Sequence, residues 1–175
     1  RKSENEYILF CPTSGSQKCL HIKYAVELAS QARIIGLNYK IVIVGDLSDY
    51  FSQNPDIADN IKENPSIYLI DRYVDYCAKT ISNYIDAYWR SLSDQSVSFT
   101  LYEAASVKVP LLTLEEGFMG RAIKEYSMGA VLQLNFTNIK AAHLEIVGWD
   151  KKNAAAFLHH HSWEIAVRQM LKYLP

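Results

Sequence analysis

Two polar loops in the sequence carry residue types that can bind an anionic or hydroxylated ligand. The first loop, Pro12 to Lys18, combines small residues, among them Thr13 and Gly15, with one cation. Small residues let backbone N–H groups approach an anion, and the Lys18 ammonium adds a full positive charge. This composition would suit a diphosphate. The loop matches neither the Gly-x-Gly-x-x-Gly fingerprint nor a P-loop, and an ordinary polar turn with a solvated lysine is the alternative.

The second loop, Ser91 to Ser98, leads into a helix that is predicted to begin near Phe99. Ser96 and Ser98 can either cap that helix or hydrogen-bond a ligand. Glu103 lies in the first turns of the helix, and its carboxylate can accept two hydrogen bonds from hydroxyl groups. The alternative is a glutamate that only interacts with the helix dipole.

Both loops follow short apolar runs, which are typical of β-strands. Six such runs alternate with helical patterns, which predicts right-handed βαβ units and a mostly parallel sheet. The fold class is therefore α/β, a Rossmann-like three-layer sandwich with about six parallel strands. The runs are continuous, as expected for strands covered on both faces. They span 7–11, 40–44, 66–70, 87–89, 109–113 and 130–132.

Apolar spacing predicts helices at several places between and after these runs. One covers about 25–35 and is ended by Gly36, and another covers Val74 to Ile85. The last begins at Ser162 as N-cap and continues through an apolar stripe from Trp163 to Leu174. The segment 47–63, rich in polar residues, is predicted to be a loop with a weak helix.

Composition narrows the function classes. The chain has 175 residues, 49% of them hydrophobic and 21% charged, which is typical of a globular domain with a substantial core. A net charge of -1 argues against nucleic acid as a partner. No apolar run approaches the roughly 20 residues that span a bilayer. Cys11, Cys19 and Cys77 are irregularly spaced, which favours a reducing, cytoplasmic compartment with packing roles for the first two. The chain begins without Met, as a piece of something larger would.

The order and spacing of several motifs resemble the carboxyl-terminal domain of GT-B glycosyltransferases of the retaining family 4 type. Glu103-Ala104-Ala105 matches the second glutamate of that family's Glu-x7-Glu motif, and the run 109–112 matches its Pro-Val strand. Gly129-Ala130-Val131-Leu132, Ser162-Trp163-Glu164 and Gly45-Asp46 resemble further motifs of the family. The resemblance covers almost the whole chain.

The resemblance implies a donor-binding domain over residues 1–175. It would serve transfer of a hexosyl group from a nucleotide-diphosphate sugar to a sugar, lipid or polysaccharide acceptor, as in polysaccharide biosynthesis. No metal or other cofactor is expected. An amino-terminal domain that is absent from this chain would bind the acceptor and make any peripheral membrane contact. Without that domain, the chain alone should not turn over.

The resemblance also implies roles for individual residues. Glu103 would hold the ribose hydroxyls of the donor. The helix start at Ser98, Phe99 and Thr100 would meet the phosphates or the sugar. Lys18 would stabilise the departing diphosphate, within the loop that also contains Thr13 and Gly15.

Two positions depart from the family pattern. Thr13 stands where the family has an arginine that clamps the diphosphate, and Gln95 stands where it has the first glutamate. Gln95 can still contact the donor sugar, but losing one of two cations weakens the stabilisation of the leaving group. A degenerate, non-catalytic GT-B module that acts as a binding or scaffold subunit is therefore the alternative. A GT-B-like sugar-nucleotide epimerase is a third possibility.

Three further features of the sequence have both a functional and a structural interpretation. His159-His160-His161 does not predict a metal site, because consecutive side chains point in different directions, and a solvated loop is expected instead. Asp71 and Asp75, which flank Arg72, could face a nucleotide base or be solvated. The resemblance implies that the loop from Glu115 to Gly120 also faces the donor, but its residues match those of the family poorly.

Overall fold

Six strands form one parallel sheet in the computed structural model, which describes residues 6–96, 98–162, 164 and 165. The strand order is β3-β2-β1-β4-β5-β6, and each neighbouring pair is parallel. The strands are β1 Glu6–Pro12, β2 Asn38–Gly45, β3 Ile67–Asp71, β4 Ala87–Trp89, β5 Leu111–Leu114 and β6 Gly129–Leu132. The predicted Rossmann-like fold with about six parallel strands is confirmed.

Helices connect the strands and cover the sheet. They are α1 Leu20–Lys23, α2 Ala25–Ile34, α3 Ser48–Gln53, α4 Pro55–Glu63, α5 Ala78–Ile81, α6 Phe99–Val107, α7 Gly117–Tyr126, α8 Ile139–Val147 and α9 Lys152–His160. The predicted helix over 25–35 is confirmed as α2, and Gly36 follows it with φ +80°, a conformation that suits glycine. The predicted start near Phe99 is confirmed as the first residue of α6. No described helix is long and apolar enough to cross a membrane.

The predicted helix over Val74–Ile85 is wrong, because only Ala78–Ile81 is helical. The side chains of Ser82 and Asn83 donate hydrogen bonds to the carbonyl of Lys79, at 2.9 and 3.3 Å. Short polar side chains that bond the backbone in this way compete with the next helical turn. The apolar residues of the segment pack against the sheet without continuing the helix.

The segment 47–63, predicted to be a loop with a weak helix, forms two helices, α3 and α4, and is therefore more helical than predicted. Pro55 begins α4, where its missing N–H has no intrahelical role. Ala58 and Ile61 are buried on one face of α4, and Tyr50 and Phe51 are buried in α3. Burial of these side chains stabilises two short helices that the polar composition obscures.

The three histidines belong to the end of α9. His159 and His160 close that helix, so the predicted loop is wrong, whereas the predicted solvent exposure of the three histidines is confirmed. The ring of His161 packs 4.4 Å from that of Phe157, which is buried. The amide of Ile165 lies 3.4 Å from Ser162 Oγ, as the predicted N-cap requires. The rest of the predicted last helix, Trp163 and residues 166–175, lies outside the described residues.

One face of the sheet is only partly covered between β1 and β3. Tyr68 and Ile70 of β3 are exposed, so the prediction that the strands are covered on both faces is wrong for this strand. The short helix α5 leaves an apolar cleft of about 280 Å³. It is lined by Ile8, Phe10, Val42, Val44, Ile70, Val74, Tyr76, Ile81, Tyr84 and Ile85.

The edge strand β6 is protected by a side chain. Asn138 Nδ2 donates to Val131 O at 2.8 Å, and the amide of Gln133 donates to Asn138 Oδ1 at 2.9 Å. The Asn138 side chain thus takes the place of a neighbouring peptide group, which blocks part of an exposed strand edge. A cleft of about 820 Å³ beside this edge lies away from the loops predicted to bind a ligand.

The strand order creates a crevice between β1 and β4. The chain proceeds from β1 through β2 to β3 on one side, and from β4 through β5 to β6 on the other. The connections that follow β1 and β4 therefore lead toward opposite edges of the sheet. In open α/β sheets, ligands bind outside the carboxyl ends of the strands, at such a topological switch point.

Candidate functional site

The two predicted loops meet at the switch point. The amide of Ser93 donates to Lys18 O at 3.0 Å, and Lys18 Nζ lies 3.1 Å from Asp94 Oδ2. The two charged side chains are 47% and 42% exposed, so this ion pair contacts solvent. The Lys18 ammonium is therefore held at the mouth of the crevice by a carboxylate from the other loop.

The first loop is pressed against the end of β2. The amide of Thr13 donates to Val44 O at 2.9 Å. Gly15 has φ +59°, and a Cβ there would lie 2.8 Å from Leu47 Cδ2. The amide of Gly15 donates to Thr13 Oγ1 at 3.3 Å, and Thr13 Oγ1 lies 3.0 Å from His21 Nε2. The Thr13 hydroxyl thus bonds within the protein, and Gly15 permits the close approach of the loop. Their predicted ligand contacts stay predictions.

Arg90 brings a second cation to the switch point, directly after β4. Its Nη1 donates to Pro12 O at 3.0 Å and to His21 Nε2 at 2.8 Å. Its Nε donates to Ser98 Oγ at 3.3 Å. Sequence analysis missed Arg90, because it follows a short apolar strand with no motif around it. The strand exit itself was the one available signal.

His21 is the buried partner that fixes this arrangement. Its Nδ1 lies 2.7 Å from Ser91 O, and a carbonyl oxygen only accepts, so Nδ1 holds the proton. Nε2 is then free to accept from Arg90. Burial, followed by the positive charge of Arg90, lowers the pKa of His21 well below its usual value. The imidazole is therefore neutral at physiological pH. Sequence analysis missed this residue as well, because a lone histidine on a helix carries no motif.

Glu103 lies on α6, and its carboxylate is held by a tyrosine. Tyr76 Oη lies 2.9 Å from Oε1 and 3.2 Å from Oε2 of Glu103, and it donates to this carboxylate. Burial and then the hydrogen bond to Glu103 raise the pKa of Tyr76, so its hydroxyl remains a donor. The Tyr76 ring meets Phe10 edge-on at 5.1 Å. A positioned carboxylate of this kind can still accept hydrogen bonds from ligand hydroxyls.

The three residues at the start of α6 that are predicted to contact the donor differ in solvent exposure. Ser98 is 6% exposed, and its hydroxyl caps the helix by accepting from the amide of Thr100 at 3.3 Å. Thr100 is also buried, whereas Phe99 is 78% exposed. The side chains of Ser98 and Thr100 are therefore structural. A ligand could approach their backbone or the Phe99 ring.

Gln95 is turned toward α7. Its Oε1 accepts a hydrogen bond from Arg121 Nη2 on that helix. The same loop is fastened to the start of α7, because the amide of Phe118 donates to Asp94 O at 3.1 Å. Asp94 Oδ1 accepts from Ser96, and these bonds, together with Lys18, lower the pKa of Asp94. Contact of Gln95 with a donor sugar stays a prediction.

Other candidates have structural roles. Asp71 Oδ1 accepts from the amide of Leu47 at 2.8 Å, which ties the end of β3 to the end of β2. Cys11 and Cys19 are free and buried, and burial raises the pKa of Cys11 to about 12. Their predicted packing role is confirmed. Among the described residues, no cluster of histidine, cysteine and carboxylate side chains could hold a metal ion.

The arrangement combines two cations, Lys18 and Arg90, with two carboxylates, Asp94 and Glu103, on the segments that follow β1 and β4. Lys18 and Arg90 could bind an anion such as a diphosphate, since both donate charge-assisted hydrogen bonds. Glu103 could bind vicinal hydroxyls beside it. Of the predicted residues, Lys18 thus lies in the loop after β1, and Glu103 lies on α6, the helix that follows the loop after β4.

Many solved structures share this fold, and three of them align as follows. A glycosyltransferase from Rickettsia africae ESF-5 aligns with a TM-score of 0.70 and 15% identity, over 97% of this chain and 47% of its own. HepE from Anabaena, in complex with UDP and glucose, aligns with a TM-score of 0.65 and 13% identity, over 96% of this chain and 47% of the HepE chain. A UDP-GlcNAc 2-epimerase from Methanocaldococcus jannaschii, in complex with UDP-GlcNAc and UDP, aligns with a TM-score of 0.59 and 14% identity. The alignment covers 89% of this chain and 44% of the epimerase chain.

No protein-family model matches the sequence, and no curated protein matches it. The chain spans about half the length of the solved structures to which it is similar. At identities this low, structural similarity establishes the fold alone. Because nearly the whole chain aligns with one half of a glycosyltransferase, it has the Rossmann-like α/β fold of a GT-B glycosyltransferase domain.

Proposed function

We propose that this chain is the donor-binding half of a glycosyltransferase. It binds a nucleotide-diphosphate sugar at the switch point, for transfer of a hexosyl group to a sugar, lipid or polysaccharide acceptor. The acceptor is bound by a second domain outside residues 1–175. The three free cysteines favour a reducing, cytoplasmic setting for this reaction.

The positions of Lys18 and Glu103, after the two strands that flank the switch point, carry this proposal. Lys18 lies in the loop after β1, and Glu103 lies on the helix that follows the loop after β4. A cation suits the diphosphate of a sugar nucleotide, and a carboxylate suits its ribose hydroxyls. Solved structures of the same fold contain UDP with glucose or with UDP-GlcNAc, which supports this class of ligand.

The roles of the two residues follow from their chemistry. Lys18 neutralises charge on the diphosphate as it departs from the sugar, which is an electrostatic contribution to the rate. Glu103, positioned by Tyr76, accepts hydrogen bonds from two neighbouring hydroxyls of the ribose. Neither role needs a metal ion.

Isothermal titration of the chain with UDP, GDP and their sugars tests the proposal. Glu103→Gln and Lys18→Gln should each weaken binding by roughly tenfold or more, because each removes a charged hydrogen-bonding partner. Glu145→Gln and Lys140→Gln make the same changes on the exposed surface of α8 and should leave affinity unchanged. Absence of binding by the unaltered chain at millimolar nucleotide would overturn the proposal.

A degenerate, non-catalytic module is the second candidate function. Two contacts favour it, since the Thr13 hydroxyl bonds His21 and Gln95 bonds Arg121, inside the protein. In that case, Glu103→Ala in the full-length protein leaves its function unchanged. Restoring the charges with Thr13→Arg and Gln95→Glu would then produce no transfer. An epimerase would convert the sugar nucleotide without any acceptor, and product analysis would detect this.

A further inference from the structure

Arg90 is a partly buried cation whose contacts join both strands of the switch point. Its guanidinium bonds Pro12 O at the end of β1, His21 Nε2, and Ser98 Oγ at the start of α6. These bonds use Nη1 and Nε. Within residues 6–96, 98–162, 164 and 165, no acceptor bonds Nη2, which leaves two donors of the fork available.

The charge of Arg90 lacks a counter-ion among the described residues. Pro12 O and Ser98 Oγ are neutral, and His21 is neutral because Nδ1 alone is protonated. Lys18, by contrast, has the Asp94 carboxylate at 3.1 Å. Keeping a charge partly buried without an opposite charge is unfavourable. Such a group at a ligand crevice is a candidate for binding an anion.

We propose that Arg90 binds the diphosphate of the donor, an inference that rests on the proposed function. The two N–H groups of Nη2 can donate to phosphate oxygens, and the planar guanidinium orients these bonds better than an ammonium does. Arg90 and Lys18 follow different strands, so they hold the diphosphate from both sides of the switch point. His21 is a positioning residue, because it accepts from Nη1 without adding charge.

Nucleotide binding separates this role from a purely structural one. UDP, GDP and ADP, and the nucleoside of each, are titrated into the unaltered chain, Arg90→Gln and Arg33→Gln. In Arg90→Gln, affinity for the preferred diphosphate should fall by roughly tenfold or more, while affinity for its nucleoside stays the same. Arg33 is exposed on α2, and its substitution should change neither. A structural brace would lower both affinities together.

Two outcomes overturn the inference and differ from each other. If the unaltered chain binds no nucleoside diphosphate, both the proposed function and the proposed role of Arg90 are wrong. If the unaltered chain binds and Arg90→Gln binds equally well, only the role of Arg90 is lost.

A second measurement needs no folded Arg90→Gln. The Nε–H resonance of Arg90, assigned by its absence in Arg90→Lys, should shift in the unaltered chain with the diphosphate and not with the nucleoside. An unchanged resonance at saturating diphosphate contradicts the proposal.

Discussion

Asp94 Oδ2 lies 3.1 Å from Lys18 Nζ, so a carboxylate occupies the position from which a phosphate would approach this cation. The pair is half exposed, and such pairs contribute at most about 1 kcal/mol. A ligand can therefore displace Asp94 at low cost.

Asp94→Asn should raise the affinity for UDP or GDP up to about fivefold, because the ligand no longer competes with a carboxylate for Lys18. Asparagine retains an oxygen that can accept from Ser96, so the loop keeps its shape. Titration calorimetry measures the change, with Asp59→Asn on the exposed surface of α4 as the control. Weaker nucleotide binding by Asp94→Asn would show that this carboxylate assists the ligand.

Tyr76→Phe should lower the free energy of unfolding by about 1–2 kcal/mol, because it removes the donor shared by both oxygens of Glu103. It should also weaken nucleotide binding, since Glu103 loses its fixed orientation. Urea denaturation and titration calorimetry measure the two effects. Tyr73→Phe is the matched control, because Tyr73 is 83% exposed. Equal stability of the two variants would be evidence against the role of Tyr76.

Stability should fall as the pH drops from 7 to 5, because the folded protein keeps His21 neutral. The folded-state pKa of His21 is lowered well below the unfolded value of about 6.5. Its contribution is therefore complete above that pH and is lost as pH falls below it, since the unfolded chain binds a proton first. His143, whose pKa burial also lowers, acts in the same direction.

Urea midpoints between pH 8 and 5 test this expectation, and His143→Gln isolates the contribution of His21. Carboxylates titrate mainly below this range. NMR should find the His21 imidazole neutral at pH 6. Titration of His21 near pH 6.5 would contradict the buried, Arg90-bonded geometry.

Gly117→Ala should destabilise the protein more than Gly36→Ala. Both glycines have positive φ, +73° and +80°, so both substitutions impose a backbone cost of about 1–2 kcal/mol. A Cβ at Gly117 would also lie 2.3 Å from Leu92 O, whereas one at Gly36 meets nothing within 4 Å. The difference between the two unfolding free energies therefore measures how tightly α7 packs on the loop after β4. Equal unfolding free energies for the two variants would mean that the loop after β4 shifts to accommodate the added methyl group at no cost.

The helices of this protein show where sequence periodicity suffices and where it fails. The start of α6 was predictable, since Ser98 is a good N-cap and apolar residues follow it. The helix over 74–85 was wrongly predicted, because the bonds of Ser82 and Asn83 to Lys79 are local chemistry that an apolar pattern ignores. The sequence predicts only a weak helix where α3 and α4 lie, because polar residues dominate this segment and few of its side chains are buried.

The candidate site divides in the same way. Lys18 and Glu103 were identified from the sequence, because each follows a recognisable strand within a polar loop or at a helix start. Arg90 and His21 were missed. They are 69 residues apart in the sequence, and neither has neighbours that predict a contact with the other.

The sequence by itself determined the α/β class, the apolar runs that form strands, the loop in which Lys18 lies and the helix on which Glu103 lies. It could do so because strand and helix periodicity, turn residues and capping are local properties. Only the tertiary structure decided that Arg90 lies beside Pro12, 78 residues away, and that Asp94 pairs with Lys18. The physical reason is the strand order, which makes β1 and β4 neighbours. That adjacency is set by packing of the whole sheet, and no local pattern encodes it.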